Sequence, residues 1–177
     1  MRYFVCVILL CTSELFAQIV PPYFNDFEAP GDTAGWTHTA LSGSDVWTLA
    51  MPNGALLQGA FSGSLAWATD SAGEVPPNSD LVLESPAFDL SQTTTPLMIS
   101  FQQKRDIAFG MNLWLEYSLD SGQIWQVLNP GITDQVNWQG NSGWTGFSVL
   151  DYTYSAHSLQ FLQGNADVRF RFRVSTG

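Results

Sequence analysis

Glu116-Tyr-Ser-Leu-Asp-Ser-Gly-Gln-Ile-Trp-Gln-Val-Leu128 reads as two β-strands joined by a tight polar turn. On the approach, Leu113, Leu115, Tyr117 and Leu119 alternate with Asn112, Trp114, Glu116 and Ser118, the period of a strand with two unlike faces. In the turn, the Asp120 carboxylate is placed to accept backbone N–H groups. Gly122 supplies positive φ without a Cβ clash, and Trp125 can fold back to cover the hairpin.

The same two-residue period recurs on either side. Val168, Phe170, Phe172 and Val174 alternate with Arg169, Arg171 and Arg173, which predicts an apolar inner face and outward arginines paired with acidic neighbours. Leu97, Ile99 and Phe101 alternate with Met98, Ser100 and Gln102. Tyr23 to Glu28, Val46 to Met51, Leu65 to Thr69 and Leu81 to Pro86 are further strand candidates. Asn129 to Gly146, rich in Gly, Asn and Trp, reads as a surface loop, and Ser155 to Leu162 fits one helical turn or a strand equally well. Short strands between Gly, Pro, Asn and Asp clusters, with no long helical periodicity and no repeat, predict an all-β, antiparallel two-sheet β-sandwich. The Val168–Val174 strand reads as central. A sandwich closing there has an open sheet edge, to be completed by a partner or by further sequence.

Residues 1–17 have the form of a secretory signal: Arg2, an apolar Tyr3–Leu10, and Leu15-Phe-Ala17 before Gln18. The apolar run is shorter than the roughly 20 residues a bilayer span requires. The expected organisation is therefore a signal peptide, 1–17, then one domain, 18–177, secreted or at the cell surface with no membrane span. Both cysteines, Cys6 and Cys11, fall in the signal, so the mature domain has neither thiol nor disulfide and relies on core packing. Twelve Phe, seven Trp and five Tyr supply that core. A net charge of −10 argues against nucleic acid as a partner, because binding phosphates demands cations.

Four segments, in order, carry a family resemblance. Asp26-Phe-Glu28 followed by Gly35-Trp36 looks like the opening of MAM-type jelly rolls. Leu-Val-Leu-Glu-Ser-Pro-Ala-Phe-Asp-Leu-Ser over 81–91 resembles a segment of the secreted bacterial domains called choice-of-anchor J. Tyr117 to Trp125 and Val168 to Arg171 resemble a hairpin and a late strand of the same domains. The resemblance covers residues 23–174 and implies a concanavalin-like jelly roll. It also implies a non-catalytic adhesion or accessory module of an exported bacterial protein, with an extracellular glycan or protein ligand. Such domains finish with a Gly-Phe-Ala-Ile-Asp-Asp-Ile-like strand that this sequence lacks. A missing C-terminal strand or a host polypeptide is thus an implied partner.

Asp26, Glu28 and Asp32 cluster around the first strand candidate and offer oxygen ligands for a structural Ca²⁺. In the jelly rolls resembled, such a residue shares the ion with the final acidic strand. The alternative is a set of surface carboxylates. Trp138 and Trp144 flank the polar Gln139–Gly143 and could present flat rings to a sugar, the basis of a carbohydrate-binding alternative. Packing of the loop against the sheet is the other reading of the pair.

Catalytic patterns fail. His38 and His157 are the two histidines, with no His-Glu-x-x-His pair. Gly140-Asn-Ser-Gly-Trp144 breaks the Gly-x-Ser-x-Gly elbow at its fifth residue. Ser118-x-Asp120-x-Gly122-x-x-Trp125 resembles a sialidase Asp box but occurs once, where propellers repeat. Glu74, Glu84 and Glu116 lack the Glu-x-Asp-x-Glu strand of jelly-roll glucanases. The expectation is no enzyme. A hydrolase would require His157, a serine and a carboxylate gathered in one cleft.

Overall fold

The computed structural model describes residues 18–128 and 134–177. The signal segment and the first residues of the loop after Leu128 lie outside the described residues. The strands are β1 (Thr37–Ser42), β2 (Trp47–Ala50), β3 (Ala66–Thr69), β4 (Asp80–Glu84), β5 (Met98–Arg105), β6 (Asn112–Ser118) and β7 (Gln126–Val127). They continue with β8 (Gln135–Val136), β9 (Trp144–Thr145), β10 (Val149–Ser158) and β11 (Arg169–Ser175), with a 3-10 turn at Gln160–Leu162.

The fold is all-β and every strand pairing is antiparallel. The large sheet runs β1-β4-β11-β6-β7, with β9 also on β6; a smaller one runs β5-β10-β8, and β2-β3 form a ribbon. Alternation decides what faces inward. Leu81 and Leu83 on β4, Leu115 on β6 and Phe170 on β11 are buried on one face of the large sheet. Phe101 of β5 meets Phe172 of β11 edge-on, with ring centres 5.0 Å apart, which sets the two sheets face to face. Each such ring or leucine removed from water contributes about 1.5–3 kcal/mol. As expected, the last strand is central: β11 lies between β4 and β6.

The opening hairpin is built as its sequence demands. Asp120 Oδ1 accepts the N–H groups of Gln123 (3.1 Å) and Ile124 (2.8 Å) and the Ser118 hydroxyl (2.7 Å). Gly122 has φ +85°, and Trp125 Nε1 donates back to its carbonyl at 2.9 Å.

Two expectations are corrected, and one open alternative is resolved. Tyr23–Glu28 is not a strand. The Asn25 Oδ1 and Asp26 Oδ1 atoms accept the N–H groups of Phe27 and Glu28, and Phe27 takes φ +63°, so local side-chain bonds win over a ladder. The long loop is not wholly irregular: β8 joins β10, and β9 joins β6. Ser155–Leu162 holds both of the structures it could have been, the end of β10 and then the 3-10 turn. Among the described residues, no helix is long and apolar enough to cross a membrane.

Candidate functional site

The densest set of polar functional groups lies on the outer face of the large sheet. Register creates it. Arg171 stands on one rung between Glu84 of β4 and Glu116 of β6. Its Nε donates to Glu116 Oε2 at 2.6 Å, while Nη1 is 4.0 Å from Glu84. One rung on, Arg173 stands between Val82 and Trp114 and reaches diagonally. It holds Asp80 through Nε (2.8 Å) and Nη2 (2.6 Å) in a two-pronged pair, and Nη1 is 3.5 Å from Glu116. Arg169 pairs with Asp167 at 3.3 Å. Three strands are thus stitched by alternating charge.

The expected outward arginines do pair with acidic neighbours, but around Arg171 the face is closed to water. Arg171 is 8% and Glu116 5% exposed. The Trp125 ring lies 4.3 Å from the Arg171 guanidinium carbon and helps roof it; Trp114 stands 5.8 Å from that of Arg173. The hairpin turn therefore serves the site, since Gly122 fixes Trp125 in place. The Asp80 carboxylate, bonded to Arg173, raises the guanidinium well above its ordinary pKa and holds its charge. Val82, opposite Arg173 on β4, is fully buried.

Trp138 and Trp144 come together, but inside. Their ring centres are 5.5 Å apart, and both meet Phe101, at 5.9 and 6.1 Å. Trp144 is buried, and Trp138 Nε1 donates to the Leu128 carbonyl at 3.2 Å. Packing against the sheet, the other reading weighed for this pair, is the arrangement found. Between them Gln139, expected in a polar surface loop, is 1% exposed. Its Oε1 accepts Leu115 N–H at 2.9 Å, and its Nε2 donates to the carbonyls of Leu115 (3.1 Å) and Leu128 (2.9 Å). One carboxamide thus joins the β6–β7 ladder as a strand would. Gly143, at φ +80°, is required beside it, because a Cβ there would collide with the Leu113 carbonyl and the Trp114 ring.

Asp26, Glu28 and Asp32 each accept backbone N–H groups. Glu28 Oε1 accepts the N–H groups of Ser64 (2.7 Å) and Leu65 (2.6 Å), fastening the N-terminal segment to the start of β3. Asp32 Oδ2 accepts Ala29 N–H at 2.9 Å, and Asp26 caps its own turn. Among the described residues, no group of three His, Cys, Asp or Glu side chains is arranged to hold a metal ion. Nor do the hydrolase candidates gather. His157 is fully buried, with Nδ1 2.7 Å from the Ser158 carbonyl and its ring against Trp138. Ser155 Oγ donates to the Asn137 carbonyl and accepts from Gln103. Glu84 and Glu116 flank an arginine instead of a cleft.

Comparison of the chain with models of known families, with curated proteins and with solved structures found no match.

Proposed function

We propose that the protein is a non-catalytic adhesion or accessory module of jelly-roll type, working outside the cell as part of a secreted or surface-exposed bacterial assembly. One observation carries the reading. Several side chains able to do chemistry are consumed by the fold: Glu84, Glu116 and Asp80 by arginines, Ser155 and His157 by the interior. What such a surface can do is bind, with donors and acceptors fixed in place before a ligand arrives. The four-motif resemblance and the signal-like start favour the extracellular setting.

The test compares retention with turnover. The chain, immobilised and exposed to a panel of polysaccharides and envelope proteins, is expected to retain a ligand without releasing any product. Release of reducing ends or peptides that disappears in Glu84→Gln or His157→Asn overturns the proposal.

A carbohydrate-binding reading keeps one support. The half-buried Trp114 lies beside part-exposed Arg173 and Asp80 on the outer face. Glycan-array binding lost in Trp114→Ala would favour it. That reading rests on neither Trp138, Trp144 nor a calcium ion.

A further inference from the structure

β5 is eight residues long, and among the described residues β10 is the sole strand paired with it. Among the described residues no strand pairs with its other edge, which leaves a row of main-chain donors and acceptors there for a partner. The interior is incompletely closed at this strand. Leu97, Ile99 and Phe101 point inward yet are only half-buried, whereas Leu81, Leu83 and Leu115 are sealed. Two buried polar atoms of the same strand, Gln103 Oε1 and Arg105 Nη1, have no hydrogen-bond partner. Arg105 lies at the strand's end, 5.9 Å from the Trp144 ring.

The geometry points to strand addition: an extended segment of another polypeptide, carrying an inward carboxylate, pairs with the free edge of β5 and neutralises Arg105. Only an extended backbone can satisfy the ladder, and alternate apolar side chains of the same segment would cover Ile99 and Phe101. The unpartnered Arg105 Nη1 selects the acidic residue. A second copy of this chain fits poorly. Antiparallel pairing of β5 with itself sets Arg105 against Leu97, Ile99, Phe101, Gln103 or another Arg105, never against a carboxylate. A net charge of −10 also opposes self-association. The inference does not depend on the proposed function.

The probe is a fluorescein-labelled peptide of alternating valine and threonine, as long as β5, with one glutamate near its amino end. Added to the full chain, it is expected to raise anisotropy saturably and to slow amide exchange over Ile99–Gln103. The same peptide with lysine for glutamate should bind about tenfold more weakly, and Arg105→Gln should erase that difference. N-methylation of alternate peptide amides should abolish binding, an arm that requires no variant to fold. Equal binding by the N-methylated peptide, unchanged exchange in β5, or no saturable binding overturns the inference. Concentration-dependent dimerisation of the chain alone that protects β5 also overturns it, in favour of a second copy.

Discussion

Glu116→Gln tests the charge lattice most directly. The substitution keeps the side chain's shape and one accepting oxygen but removes the negative charge between two guanidinium groups, at 2.6 and 3.5 Å. Removing one partner from a buried pair costs about 3–5 kcal/mol. Here the loss is softened, because Arg171 keeps Glu84 nearby and Arg173, one-third exposed, keeps Asp80. We expect a destabilisation of about 2–3 kcal/mol by urea unfolding, or about 5–10 °C in melting temperature for a domain of this size. The double variant Glu116→Met with Arg171→Met should recover most of that loss, since a well-packed apolar pair often equals a buried ion pair. A double-mutant cycle then isolates a coupling of about 2 kcal/mol. A loss under about 0.5 kcal/mol in Glu116→Gln, or strictly additive single effects, would refute the view that ionic pairing joins β6 to β11.

Three further outcomes are expected. The Asp120 carboxyl is held below its ordinary pKa, first by the Ile124 N–H and then by Ser118. Its stabilisation of the hairpin is therefore complete above about pH 4 and lost as pH falls through the lowered folded value. Ile124 amide exchange should accelerate in that acid range, and in Asp120→Asn this acid dependence should vanish. Gln139→Leu leaves the Leu115 N–H without its acceptor inside the protein and should cost about 2–3 kcal/mol; a loss near zero in chemical denaturation counts against the carboxamide's role as a ladder rung. Excess calcium or a chelator should leave the melting curve unmoved, and a reproducible calcium-dependent rise would restore Asp26, Glu28 and Asp32 as ligands.

The inside-outside assignment was legible wherever alternation is clean. Phe170 and Phe172 face inward, and Asp120, Gly122 and Trp125 hold the hairpin, because strand period and turn chemistry are local. Tyr23–Glu28 misleads for a local reason too: its Asn and Asp side chains offer the backbone nearer partners than any distant strand. The lattice itself was half visible. Three alternating arginines announce a charged face, yet which carboxylates meet them depends on register between strands far apart in sequence. Gln139 gave no signal. In Trp-Gln-Gly-Asn-Ser-Gly-Trp it looks like solvent-facing polarity, and only a long-range fit to the main-chain groups of Leu115 and Leu128 makes it an interior residue. The same fit draws Trp138 and Trp144 inward, the packing alternative already weighed for that loop.

The central place of β11 has a consequence for how the molecule comes into being. Glu84 and its rung partner Arg171 are 87 positions apart by their numbers, so the keystone strand is made long after the flank it locks. Until it arrives, β1–β4 and β6 with its short neighbours are separate, half-finished ribbons with unsheathed apolar sides. Contacts of such long range slow folding. Loss of the segment from Arg169 onward would therefore not trim the sandwich but part it down the middle.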